Sequence, residues 1–371
     1  MSNCSELGVE FQSDPDVAGL GVVLAFLITS WVSFAAALIN FLIVEDGVPS
    51  NLTTHLDKGI LKVAKILRDK LPWTPSRSHM HEICMMLGDQ QLVTAASILL
   101  VCFLTQDTMT QYHFGIGASL AWASFSTFQS ILTIVSHDLQ REGCSWMKIW
   151  RYAWIFAITA AATFANFVFA DRRFLEPERW GTPVSCVLTS LGVYDKKAAT
   201  KLTLFTLMNV NTAVATLNLL WPSARQHSIS RWLRKHIWTL RDMPRIAQGW
   251  INSTWWFNLA LADVLCSFNF GLFRAYVVLL FSTKIVLDLR RDGPSHGLQK
   301  HEEEDNVKKF GQLLSLVFLA LPFLEISEIL WNEFRANKKL RMNKYKNIAN
   351  PSQHHATSVK ASAKPKTVPN A

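Results

Sequence analysis

The chain has 371 residues, half of them hydrophobic and only 18% charged, with a formal net charge of +9. Its apolar residues are gathered into long blocks, each near the roughly 20 residues that cross a bilayer, which argues against soluble domains and, with no alternating pattern, against a barrel. The positive charge lies between the blocks, where anionic lipid attracts it, so nucleic acid is not the expected partner.

Residues 1–16 carry Glu6, Glu10, Asp14 and Asp16 and no Lys or Arg. No cleavable signal peptide is expected, and the first helix must serve as its own targeting signal. Asn3-Cys4-Ser5 is a glycosylation sequon, with Asn3 the expected acceptor. Seven helical blocks follow, at about 17–44, 83–105, 114–135, 154–170, 202–221, 255–287 and 310–331. The fold class is therefore an all-α, seven-helix transmembrane bundle.

Between the first two blocks, 54–71 reads as an amphipathic helix. Leu56, Ile60, Val63, Leu67 and Leu71 recur at helical spacing, with Lys58, Lys62, Lys65 and Arg68 on the other side. Such a helix lies in the cytosolic interface as a surface anchor, or binds a partner. Pro72 and Pro75 end it. The basic, Trp-rich stretch 222–254 reads as a second surface segment, and the tail 332–371 as a disordered basic extension suited to anionic lipid.

Orientation follows from the cations between blocks. The segments 45–82, 136–153, 222–254 and 332–371 hold 24 Lys and Arg. The opposite set holds 11, outweighed by 15 acidic residues. The N-terminus is thus expected outside or in the lumen and the C-terminus in the cytosol, in the endoplasmic reticulum or plasma membrane. Trp154, Trp221, Trp255, Trp256 and Trp331 then fall at the cytosolic interface. Cys4 and Cys186 are the two cysteines on the non-cytosolic side, where disulfides persist, and form a candidate pair.

The second block contains Gly88-Asp89-Gln90-Gln91. A helix starting near Ile83 would put Asp89 about 9 Å into the cytosolic leaflet. Asp263, Glu325 and Glu328 fall at similar depth on the sixth and seventh helices, and His137 could reach them from the third. A carboxylate in lipid must face the bundle interior, pair, or hold a proton. Arg274 is expected nearer the outer face, snorkelling to it. Two readings stand. One is a polar, cytosol-facing cavity formed by Asp89, Gln90, Gln91, His137, Asp263, Glu325 and Glu328. The other is a set of interhelical hydrogen bonds among Asp89, Gln90, Gln91, Asn166, Asn211 and Asn218.

Motifs for ATP, zinc, haem and serine hydrolases are missing, as are the paired Asp-rich motifs of membrane prenyltransferases, so no cofactor or metal is expected. The stretches "DPDVAGLGVVLAF" (Asp14 to Phe26), "GDQQLVT" (Gly88 to Thr94) and "SLAWASFSTFQSILTIV" (Ser119 to Val135), with the cysteine of "WGTPVSC" (Cys186), resemble a group of fungal multi-pass integral membrane proteins. Some of these are encoded among secondary-metabolite genes. The resemblance implies topology and a fungal source, and carries no catalytic residues across. The expected role is non-enzymatic transport, sensing or scaffolding linked to fungal secondary metabolism, with a lipophilic small molecule as a candidate partner. The alternative is a membrane-embedded enzyme such as a terpene cyclase, with Asp89, Asp263 and Glu325 as candidate acids.

Overall fold

The computed structural model describes residues 11–44, 55–71, 75–141, 146–170, 176–188, 268–299, 302–305 and most of 320–335. The expected helix 202–221, the surface segment 222–254, Asp263 and nearly all of the tail 332–371 lie outside these residues. The chain divides into two units, Met1–Pro322 and Phe323–Ala371.

The first unit is mostly helical. Its helices are α1 (Leu20–Leu42), α2 (His55–Arg68), α3 (Arg77–Leu104), α4 (Gln111–Arg141), α5 (Trp146–Ala170), the short α6 (Val184–Leu188), α7 (Phe268–Asp292) and the single turn α8 (Glu302–Asp305). Among the described residues, four helical stretches are long and apolar enough to cross a membrane: Leu20–Leu42, Arg77–Leu104, Gln111–Val135 and Asn269–His296. A shorter apolar stretch, Ala153–Ala165, lies within α5.

Several boundaries differ from the sequence reading. Helix α3 begins six residues before Ile83, because Ser76 caps it by accepting the His79 N–H after Pro75. Asp89 is therefore about 18 Å from the start of its helix instead of 9 Å. Helix α5 begins at Trp146, eight residues before the expected start of the short fourth block, and α7 runs five residues past its expected end. Two short strands, β1 (Phe11–Gln12) and β2 (Leu298–Gln299), pair in parallel within an otherwise helical fold.

Helix α4 is the hub. It packs against α3, α7, α1 and α5, and its apolar span is buried almost all round. Close approach is set by small residues, as in membrane helix pairs generally. A Cβ on Gly117 of α4 would meet Cys102 Sγ of α3 at 2.6 Å, and one on Gly88 would meet Ile131 Cγ2 at 3.2 Å.

The two ends of the bundle are built differently. At one end β1, the α3–α4 turn, residues 176–188 and the end of α7 interlock. Tyr112 N donates to Trp180 O, Gln111 N to Thr182 O, and Arg290 to the Ala18 carbonyl. At the other end α2 is tied to α1 and α7. Arg68 Nη1 donates to Val44 O at 3.2 Å, and Asn269 donates to Asp57.

Candidate functional site

Four consecutive residues of α3 turn to different neighbours. Gly88 lies against Phe128 and Ile131 of α4. Gln91 is buried and joins three helices: Ser30 Oγ of α1 donates to its Oε1 at 3.0 Å, and Ser30 Oγ lies 3.4 Å from Ser124 Oγ of α4. Gln90 keeps a buried Oε1 with no partner among the described residues. Asp89 is half-buried and faces α5.

There it stands at one end of a groove of about 490 Å³ between α3 and α5. Leu92, Ala96 and Phe103 of α3 face Trp154, Ile158 and Ala161 of α5 across it. Apart from Asp89 the lining carries the indole N–H of Trp154 and the hydroxyl of Ser97, which donates to Val93 O of its own helix. Asp89 and Phe103 are 14 residues apart, so the groove runs about 21 Å along α3. Phe103 packs on Phe164 at 5.6 Å between ring centroids. Leu100, Val93 and Trp154 are all exposed, so the groove opens sideways from the bundle. A long apolar slot with one carboxyl suits an elongated lipophilic molecule bearing a polar group at one end.

The remaining expected residues fare differently. Asp263 lies outside the described residues, as does the side chain of His137. Glu325 and Glu328 belong to the second unit, where both are exposed. Of the hydrogen-bonding alternative, Gln91 takes part as described, while Asn211, Asn218 and the side chain of Asn166 lie outside the described residues. Asn3 and Cys4 lie outside as well; Cys186 is buried and disulfide-bonded.

The expectation for Arg274 is corrected. It does not snorkel to the outer face. It sits six residues into α7, is only 7% exposed, and donates from Nη2 to Gln129 Oε1 of α4 at 2.7 Å. Gln129 is its polar counterpart from an adjacent helix, and neither residue's pairing is visible in the spacing of its own block.

A second buried polar assembly also escaped the sequence reading. The Asp14 N–H donates to His113 Nε2 at 3.0 Å and to Glu304 Oε1 at 3.2 Å. His113 Nε2 and Glu304 Oε1 are 3.0 Å apart, and His113 Nδ1 lies 2.7 Å from Thr110 Oγ1. The Tyr112 hydroxyl donates to Glu304 Oε2 at 3.3 Å, with Arg290 Nη1 3.9 Å from the same oxygen. His113 and Glu304 are each 2% exposed. A buried charge needs such partners, and these fasten the N-terminal segment and α8 over the start of α4. The sequence signals were a histidine at the mouth of an apolar block and an acidic run, both ordinary features of loops.

Fold and site together define a mostly helical chain with four candidate membrane spans and a laterally open apolar groove, compatible with a membrane protein. The chain is similar to the Elsinochromes biosynthesis cluster protein HP3 of Elsinoe fawcettii, with 27% identity over 126 residues, covering 34% of this chain and 48% of that protein. It thus spans about half the length of the curated relative it matches. The likeness links it to fungal secondary-metabolite clusters. No family model and no solved structure matches.

Proposed function

We propose that this chain is a multi-pass membrane protein that binds a lipophilic small molecule of fungal secondary metabolism in the α3–α5 groove. Its role there is non-enzymatic: transport, sensing or scaffolding. The observation that carries the reading is the groove itself, mostly apolar along about 21 Å, with the Asp89 carboxyl at one end. The lateral opening suits a ligand that arrives from the acyl chains. The likeness to a biosynthesis cluster protein supports the link to such a pathway.

The proposal includes seven crossings, with the N-terminus outside or in the lumen and the tail in the cytosol. The disulfide-bonded Cys186 supports that orientation, because such bonds persist on the non-cytosolic side.

The test uses a benzophenone-bearing fatty acid photocrosslinked to the full chain in nanodiscs. Crosslinks should map to 89–103 and 154–161. Ala161→Phe, which fills the groove, should lower them by roughly tenfold while expression is retained, as expected when a ring displaces apolar contact area. Crosslinking spread evenly over all lipid-facing helices, unchanged in Ala161→Phe, would contradict the proposal.

A second reading has one observation in its favour. Among the described residues, the candidate acid that lines the groove is Asp89, where a protonated carboxyl could act on an alkene or epoxide. In that case Asp89→Asn should abolish turnover of the pathway intermediate while leaving photocrosslinking intact. Turnover that survives Asp89→Asn rules the acid out.

A further inference from the structure

Helix α2 has three longitudinal stripes, one more than a simple amphipathic helix. Asp57, Leu61, Ala64 and Arg68, at spacings of four, three and four, form the stripe that meets the bundle. Asp57 is 0% exposed, Ala64 is buried, and Arg68 turns inward to Val44 instead of joining the lysines. Ile60, Val63 and Leu67 form a second stripe that the protein leaves open, with Val63 69% exposed. Lys58, Lys62 and Lys65 form a third, all exposed.

The inward stripe does more than hold the helix. Asp57 Oδ1 accepts the backbone N–H of Asn269 at 3.1 Å and its side-chain amide at 2.7 Å. Asn269 is the second residue of α7, so a carboxylate from α2 caps that helix from outside, where unpaired N–H groups and the positive end of the dipole favour an anion.

We infer that α2 seats on anionic lipid and, through Asp57, couples that seating to the start of α7. The chemistry matches on both open stripes. Isoleucine, valine and leucine enter the acyl boundary, while the lysines of the opposite flank reach negative headgroups with their long stems. The helix follows α1 and precedes α3 in the chain, and is tied to Val44 just past α1 and to the first residues of α7, the ends of two candidate spans. Helix α7 carries buried Arg274 one and a half turns further on, so a shift in α2 reaches a charged side chain in the core. This inference stands apart from ligand binding in the groove.

Hydrogen exchange of the full chain tests it, in nanodiscs of phosphatidylcholine alone and of phosphatidylcholine with phosphatidylserine. Amides of 57–68 should exchange at least roughly tenfold more slowly with phosphatidylserine, and Asn269 should gain protection with them. The triple variant Lys58→Gln, Lys62→Gln and Lys65→Gln should lose the difference while 111–135 stays protected. If that variant does not fold, high salt on the wild-type protein serves instead and should shrink the difference. Equal exchange in the two discs overturns the inference. So does protection confined to α2 with Asn269 unaffected, or protection that rises with protein concentration, which would mark a second copy as the occupant.

Discussion

Gly88, Asp89 and Gln91 stand within four positions of one helix and serve packing, the groove and a three-helix hydrogen bond respectively. Successive residues on a helix point about 100° apart, so three neighbours can be met from one turn. That Asp89 is exceptional was legible, because a carboxyl inside an apolar run demands a reason. Its depth was not, since the Ser76 cap moves the helix start and a cap contributes too little to stand out in a sequence. Arg274 shows the converse limit. Its burial depends on Gln129 of another helix, and no periodicity within its own block encodes that pairing. Cys186 supplies the prediction at this scale. It is disulfide-bonded, while Cys84 and Cys102 are free. Cys4, the other cysteine expected on the non-cytosolic side, is its proposed partner. Cys4 and Cys186 should resist alkylation until reduced. Labelling without reduction removes the pairing.

The elements were mostly legible where hydropathy alone decides. Helices α1, α3 and α4 each fall on an expected block, α7 on the described part of another, and α2 within the expected amphipathic segment 54–71. The β1–β2 pair and the His113–Glu304 assembly were not, because they join residues nearly 200 or more positions apart by contacts that leave no local pattern. Packing between elements gives a direct prediction. A Cβ on Gly117 would fall 2.6 Å from Cys102 Sγ, with Val17 and Ile98 also in contact, whereas a Cβ on Gly271 of α7 meets nothing within 4 Å. Gly117→Ala should force α3 and α4 apart and lower the apparent Tm in detergent, at a cost of about 1–3 kcal/mol. Gly271→Ala should be neutral or slightly stabilising, since alanine is the better helix former by about 1 kcal/mol. Equal Tm values for the two variants would mean that α3 and α4 are not packed as described.

At the largest scale, the unit Met1–Pro322 is built on a buried hub helix with apolar helices packed against it. One end is locked by buried His, Glu, Tyr and Arg, and the other is tied to the amphipathic α2. Between α3 and α5 the packing leaves a slot open to the side. Composition made the apolar class evident; the slot could not be read from it, because two helix faces that each look lipid-exposed become a groove only when set side by side. Native mass spectrometry of the full chain purified from a fungal host with its secondary metabolism induced tests the central claim most directly. The account predicts a bound small molecule, distinct from phospholipid, on the wild-type protein from the induced host, missing when the host is uninduced and lost in Ala161→Phe. Wild-type protein that carries phospholipid alone, identically in the induced and uninduced host, would contradict it.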